Sequence, residues 1–208
     1  ALLGDVGAAT RAILGDVALA DDGALVLGTG GFVVVSTGRI PRYVDGLLTT
    51  LLYEDVDGPV YAVEGTVHGL AASIVEAGHR GGWAALKPER IAARSGTAAR
   101  TPRVDAALEG TGTPDWDLRH RFEVEAGDFS PEEIVRGTID DLAARFSRIA
   151  GLLRAANICP ERFVATGGLA ASPHLTSRIG DVMAAPVVID SRPHRTAVGA
   201  ALLARDGR

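Results

Sequence analysis

Leu27-Gly28-Thr29-Gly30-Gly31-Phe32 is the stretch that decides the fold, because it sets a glycine turn between two β-rich runs. Residues 24–27 precede the turn and residues 31–36 follow it, and the second run includes the continuous apolar segment 32–35, typical of a strand buried on both faces. Backbone N–H groups in such a bare turn can bind a phosphate, and the hydroxyl of Thr29 adds a donor. An ordinary glycine hairpin explains the same residues, so the turn alone leaves its role open.

The rest of the chain predicts a single α/β domain with a mixed sheet, because an antiparallel strand set is followed by alternating strands and helices. The antiparallel set is predicted as a meander at residues 24–27, 31–36, 50–54 and 60–63. A helix with an apolar stripe is predicted from Gly65 to Gly78. Further strands are predicted at 119–124, 162–165 and 187–189, and further helices at 8–15, 130–156, 173–183 and 196–205.

The helix over 130–156 has the clearest local signal in the chain. Ser130-Pro131-Glu132-Glu133 combines an N-cap serine, a proline at the first helical position and a glutamate that completes a capping box. A stripe of large apolar residues follows it at helical spacing.

Composition excludes several classes of function. The net charge of −5 and the absence of a basic stripe argue against nucleic acid as a partner. No apolar run is long enough to span a membrane, and the lone Cys159 is compatible with a reducing, cytoplasmic location. The histidines and Cys159 form no metal-ligand pattern, so no metal-ligating residues are predicted in the chain itself.

Three further places could carry chemistry. Thr166-Gly167-Gly168 follows a predicted strand and opens a helix, an arrangement that suits a phosphate or a flat ring, although helix packing alone also explains the glycines. Gly110 lies in a second Gly-Thr-Gly loop, which is otherwise a surface loop anchored by Trp116. Asp5 precedes a small-residue helix and is either a general base or an N-cap.

The order of these motifs resembles the C-terminal domain of the FGGY family of carbohydrate kinases, over nearly the whole chain. The series comprises Gly4-Asp5, Gly28-Thr29-Gly30-Gly31-Phe32, Gly110-Thr111-Gly112-Thr113-Pro114-Asp115-Trp116-Asp117, the long helix, Gly167-Gly168 and Thr196-Ala197-Val198-Gly199-Ala200-Ala201. Gly46-Leu47-Leu48-Thr49-Thr50 and Tyr61-Ala62-Val63-Glu64-Gly65 are most similar to the glycerol kinase branch.

This resemblance implies an actin-like, ribonuclease-H-like fold with helices on both faces of the sheet. It also implies that residues 1–208 are the nucleotide-binding half of a two-domain kinase. ATP and Mg²⁺ would bind between this domain and an N-terminal domain that the chain lacks, so the isolated domain is expected to be inactive. The substrate would be a sugar or polyol, and a homo-oligomer is left open.

The resemblance assigns roles to individual residues. Asp5 would be the catalytic base. The phosphates would contact Gly28, Thr29, Gly30 and Gly110, and the adenosine part would contact Gly167, Gly168 and Ser172.

Three departures from the family pattern keep a second hypothesis open. Val6 follows Asp5 where the family has a polyol-binding amide, Glu109 precedes the phosphate-lining glycine, and Ser172 replaces an asparagine. These departures are compatible with a degenerate, non-catalytic domain that senses nucleotide or acts as a scaffold. Another actin-like phosphotransferase branch with similar loops is a third hypothesis.

Overall fold

The computed structural model of the chain describes residues 5–15 and 21–206. The helices are α1 (Asp5–Leu14), α2 (Leu70–Arg80), α3 (Pro88–Arg94), α4 (Pro131–Ala155), α5 (Pro173–Met183) and α6 (Arg195–Asp206). The strands are β1 (Gly23–Leu27), β2 (Gly31–Gly38), β3 (Leu48–Asp55), β4 (Gly58–Val67), β5 (Val104–Asp105), β6 (Glu123–Val124), β7 (Phe163–Thr166) and β8 (Val187–Ile189). Short 3₁₀ helices cover Ser95–Thr97 and Gly168–Ala171.

The main sheet has six strands in the order β3-β4-β2-β1-β7-β8, and β5 pairs separately with β6. The pairs β1–β2, β2–β4 and β3–β4 are antiparallel, whereas β7 is parallel to both β1 and β8. The prediction of a mixed sheet is therefore confirmed.

The predicted meander is wrong in one pairing, because β2 pairs with β4 and not with β3. Strand β4 is largely buried along its length and lies between β2 and β3, whereas β3 exposes Leu48 and Leu51 and lies at the edge of the sheet. Burial of apolar side chains, and not the order of the strands along the chain, therefore explains why β4 takes the interior position.

Helices cover both faces of the sheet, as predicted. On one face α4 crosses close to the strands. A Cβ on Gly31 would lie 2.6 Å from the side chain of Phe146, and a Cβ on Gly65 would lie 2.5 Å from the side chain of Ile149. On the other face α1 and α6 pack together, and Leu203 of α6 joins a cluster with residues of β1 to β4 such as Ala62. The two faces thus form two separate apolar cores.

Several predicted boundaries are corrected: α1 begins at Asp5 and not at residue 8, and β4 spans Gly58–Val67 and not only 60–63. The helix predicted from Gly65 begins only at Leu70, because Val67 still pairs with Gly31 of β2, and it continues past Gly78 to Arg80. The strand predicted at 119–124 is reduced to Glu123–Val124, which pairs with Val104–Asp105, while the backbone N–H of Arg121 donates to the carbonyl of Ala107 outside this ladder.

The capping box of α4 is confirmed. The hydroxyl of Ser130 accepts the backbone N–H of Glu133 at 3.3 Å, and the carboxylate of Glu133 accepts the backbone N–H of Ser130 at 3.0 Å. The same carboxylate pairs with Arg100, so the start of α4 is also tied to the preceding loop.

Candidate functional site

Two glycine turns lie side by side at one edge of the sheet. Strands β1 and β7 are parallel and Val26 is opposite Thr166, so both strands end at the same edge. Gly167 has φ 102° and ψ 166°, a conformation essentially restricted to glycine. A Cβ at Gly167 would also collide with the carbonyl of Leu27, so the glycine is required to let the two turns approach each other.

The turn at Gly28-Thr29-Gly30 is anchored to α2. The N–H of Gly28 donates to the carbonyl of Gly30 at 2.9 Å, and the carbonyl of Thr29 accepts the N–H of Ala71 at 3.1 Å. The side chain of Thr29 is exposed. The N–H of Gly28 is therefore used within the turn, and the prediction of phosphate-binding N–H groups narrows to Thr29 and Gly30.

Two of the predicted site glycines face open space. A Cβ added to Gly28 or to Gly168 would meet no protein atom within 4 Å, and neither residue has a φ in the left-handed region. Neither packing nor backbone strain explains these two glycines. Close approach by a ligand would explain them, because a missing Cβ lets another molecule reach the main chain.

A cavity of about 580 Å³ borders the turn at Gly167-Gly168. This volume lies in the range typical of small-molecule sites, about 300 to 1,000 Å³. Its other walls come from Ala9 of α1, from Val26 of β1, from Glu89 of α3 and from the segment 189–196 between β8 and α6. Ligands of open α/β sheets commonly bind at the carboxyl ends of the strands, where this cavity lies.

Asp190 and Arg192 were missed as site residues from the sequence. Both line the cavity directly after β8, and Arg192 holds the pKa of the Asp190 carboxyl below its usual range through a side-chain hydrogen bond. A partial signal was present, because Asp190-Ser191-Arg192 directly follows the strand predicted at 187–189, but only the structure shows that this strand is parallel to β7. Charged residues at such strand ends are candidates for ligand binding.

Gly110 lies in a loop that reaches α2, but the residue itself is buried. Its φ of 77° and the nearby carbonyl of Asp117 leave no room for a Cβ, and its own carbonyl accepts a hydrogen bond from Arg145 at 3.2 Å. The neighbouring Glu109 is exposed and packs its Cβ beside Gly69, just before α2. The loop thus adjoins the helix that anchors Thr29, while direct phosphate contact by Gly110 stays a prediction.

Ser172 serves as the N-cap of α5. Its side chain is fully buried and its Oγ accepts the N–H of Leu175 at 3.5 Å. The cavity lining includes Ala170 and Ala171 but not Ser172. The predicted contact with adenosine therefore stays a prediction, beside a structural role that is directly visible.

Asp5 begins α1, and its side chain lies outside the described residues. The helix it opens is held closely against the sheet, since a Cβ on Gly7 would lie 2.5 Å from the carbonyl of Leu52. The predicted catalytic role of Asp5 stays a prediction.

A buried carboxyl lies on β4, on the face covered by α1 and α6. Glu64 is 8% exposed, and alternation along the strand puts it on the side of Ala62. Thr50 donates to it at 3.4 Å, and burial raises the pKa of the Glu64 carboxyl. The carboxyl is therefore more easily protonated than an exposed glutamate.

Residues 5–15 and 21–206 offer neither a metal-ligand cluster nor a membrane-spanning helix. No group of three or more His, Cys, Asp or Glu side chains lies together in a way that could hold a metal ion. No helix in the same part of the chain has the length and apolar character needed to cross a bilayer.

Solved structures share this fold. The crystal structure of glycerol kinase from Plasmodium falciparum with ADP superposes with a TM-score of 0.79 at 22% identity, over 96% of this chain and 40% of that one. Xylulose kinase from Lactobacillus acidophilus gives a TM-score of 0.72 at 19% identity, over 98% of this chain and 41% of that one. The mixed sheet with helices on both faces is thus the actin-like fold that these two kinases share.

Sequence comparison narrows this class to one family. Residues 23–205 match the model of the FGGY family of carbohydrate kinases, C-terminal domain. The chain belongs to the FGGY family of carbohydrate kinases.

The similar proteins include several glycerol kinases. The enzyme of Desulforamulus reducens is 31% identical over 184 residues, which cover 85% of this chain and 36% of that protein. That of Thermus brockianus is 28% identical over 212 residues, which cover 95% of this chain and 41% of that protein. The chain thus spans about two fifths of the length of these relatives.

Proposed function

We propose that this chain is the ATP-binding half of a kinase that phosphorylates a hydroxyl of a sugar or polyol, with a glycerol-like polyol as the first candidate. The observation that carries the proposal is the pair of glycine turns at the adjoining ends of β1 and β7. Gly28 and Gly168 leave the main chain uncovered there, and Gly168 borders the cavity of about 580 Å³. The similarity to glycerol kinases supports the choice of substrate class.

The two turns would divide the nucleotide between them. Gly167 and Gly168 would hold the adenosine part in the cavity. Gly28, Thr29 and Gly30 would contact the phosphates, with the N–H groups of Thr29 and Gly30 as donors and with Gly110 in the adjoining loop. The ADP named for the Plasmodium falciparum structure supports nucleotide binding in this fold. Bound ATP would supply the transferable phosphoryl group.

Mg²⁺ would enter with the nucleotide. The described residues offer no cluster of ligands for a metal ion, and Mg²⁺ bound to phosphates usually keeps several water ligands and needs only one or two carboxylates. Phosphoryl transfer depends mainly on positioning and on neutralising charge. The remaining ligands, and most contacts to the acceptor, would come from the other half of the kinase.

Asp5 would act as the general base that accepts the proton of the acceptor hydroxyl. The residue begins α1, and α1 is wedged between the sheet and α6, where a Cβ on Gly199 would collide with the carbonyl of Ala8. A base on such a rigid element keeps its distance to the acceptor. Val6, which follows it, packs into the apolar core beneath α1 and so provides no polar contact to a polyol.

The test is Asp5→Asn in the intact protein that contains this chain. Loss of a general base typically lowers turnover by about 10² to 10⁴-fold. We expect that loss in kcat with glycerol and a panel of sugars, with an unchanged Kd for Mg-ATP. Asp57→Asn is the control, because Asp57 is an exposed aspartate at the tight turn between β3 and β4. Near-normal turnover of Asp5→Asn would remove Asp5 from this role.

A nucleotide-sensing domain without catalysis is the second candidate, favoured by the use of Ser172 as a helix cap and by Glu109 in the loop. The exposure of Glu109 weakens this alternative, since its carboxylate can turn into solvent, away from a phosphate. Calorimetry on the intact protein separates the two. Binding of Mg-ATP without transfer to any acceptor favours the sensor, and no binding at millimolar concentration refutes the kinase.

A further inference from the structure

The segment between β8 and α6 holds an exposed guanidinium at the wall of the cavity. Nε and Nη2 of Arg192 each lie 2.8 Å from an oxygen of the Asp190 carboxylate, and the backbone N–H of Arg192 donates to the same carboxylate at 3.1 Å. The side chain of Asp190 is 5% exposed, whereas that of Arg192 is 66% exposed. A buried carboxylate thus orients a cation that faces outwards.

Asp190 is itself anchored from two sides. Its N–H donates to the carbonyl of Ala165 at 2.8 Å, two residues before Gly167. Nε of Arg195 lies 3.2 Å from its carboxylate, and the same arginine donates to the carbonyl of Ala12 in α1. The carboxylate therefore stands at a set position beside the turn, and Arg192 loses little entropy on holding a ligand because its orientation is already restricted.

The geometry of the pair leaves the flat faces of the guanidinium open. A two-pronged contact with a carboxylate occupies one edge of the planar group, and its faces can still stack on a π system. The turn at Gly168, Ala170 and Ala171 lines the same cavity with small residues only. A planar cation and a wall without bulky side chains together suit a flat aromatic ring.

We propose that Arg192 stacks on the purine base of the bound nucleotide and so determines the affinity for the nucleoside part. This inference rests on the proposed function of the cavity as a nucleotide site. Stacking is tolerant of base identity because every base has a π face, so ATP and GTP would both benefit. The contact is to the base and not to the phosphates, which lie at the other turn in the proposed function.

The test is calorimetry of Mg-ATP and of adenosine with the intact protein and three variants. A stacked cation contributes enough that Arg192→Ala should weaken both ligands by about fivefold to thirtyfold. Arg192→Lys keeps the positive charge but lacks a planar group that can stack on the base. Its loss in binding free energy should therefore be more than half of the loss in Arg192→Ala. Arg162→Ala is the control, because Arg162 is a similarly exposed arginine, 2.9 Å from Asp22, at the opposite end of β7.

Each outcome decides the inference. Equal losses for ATP and adenosine in an Arg192→Ala variant that is fully folded at the temperature of the assay, with an unaffected control, support it. A loss for ATP alone identifies a phosphate contact and overturns it, as does unchanged binding in Arg192→Ala. If the unmodified protein binds neither ligand, the proposed function itself fails. If the unmodified protein binds both ligands and Arg192→Ala binds them equally well, only the role of Arg192 fails.

Discussion

Substitution of Gly168 by alanine separates the needs of folding from the needs of ligand binding. The added Cβ at Gly168 would meet no protein atom within 4 Å, so it would extend into the cavity. The neighbouring Gly167 is the matched comparison. Its Cβ would collide with the carbonyl of Leu27, and its φ of 102° is strained for any other residue.

Gly168→Ala should mainly lower the affinity for Mg-ATP, whereas Gly167→Ala should mainly lower the free energy of unfolding. We expect Gly168→Ala to change the free energy of unfolding by less than about 0.5 kcal/mol, as for a surface substitution. Its methyl group occupies space next to the ligand, so the affinity for Mg-ATP should fall by about tenfold, which corresponds to about 1.4 kcal/mol. Gly167→Ala should cost about 2 kcal/mol of stability from backbone strain alone. That cost lowers the melting temperature by about 4 to 8 °C in a domain of this size.

The assay measures thermal unfolding and calorimetric binding of Mg-ATP on the same preparations of the intact protein. Gly151→Ala is a control remote from the cavity, because Gly151 is an exposed residue of α4 whose Cβ would also meet open space. It should bind normally. The reasoning is refuted if Gly168→Ala binds Mg-ATP as tightly as the unmodified protein, or if it unfolds as early as Gly167→Ala.

Two further substitutions test the buried polar groups. In the folded state the pKa of Glu64 is raised from 4.5, so the folded protein binds this proton more tightly than the unfolded one, and stability falls as the pH rises from about 4.5 through the raised pKa. Glu64→Gln should remove that slope, measured by urea unfolding between pH 4.5 and 7; an unchanged slope contradicts the assignment. Ser172→Ala should cost about 1 kcal/mol through loss of the cap of α5 without changing the Kd for Mg-ATP. A weaker Kd in a fully folded variant would instead support the predicted adenosine contact.

Local signals gave the elements of this fold, but the pairing of strands required the whole chain. Ser130-Pro131 predicted the start of α4 because a cap and a proline act within one turn. No local signal indicated that β4 pairs with both β2 and β3, because that choice depends on which strand buries the most apolar surface. Strand neighbours in a sheet are decided by such long-range packing and not by propensity.

The two glycine turns of the candidate site were predicted from the sequence, because glycine turns after strands are local patterns. The ligand contacts of Gly28 and Gly167 stay predictions. For Ser172, a local signal pointed to a structural role. Ser172-Pro173 has the same cap-and-proline pattern as Ser130-Pro131, and in the structure both serines are helix N-caps. The pair of Asp190 and Arg192 was missed because only the parallel pairing of β7 with β8 brings it to the cavity.

The glycines of the site divide into two groups with different causes. Gly110 and Gly167 are explained by the protein alone, because their φ values and neighbouring carbonyls exclude a Cβ. Gly28 and Gly168 have no such explanation, because neither has a φ in the left-handed region and a Cβ at either would meet open space, as it also would at Gly151, remote from the cavity. What distinguishes Gly28 and Gly168 from Gly151 is their place at the adjoining ends of β1 and β7, where the ligand of the proposed function would need close approach to the main chain.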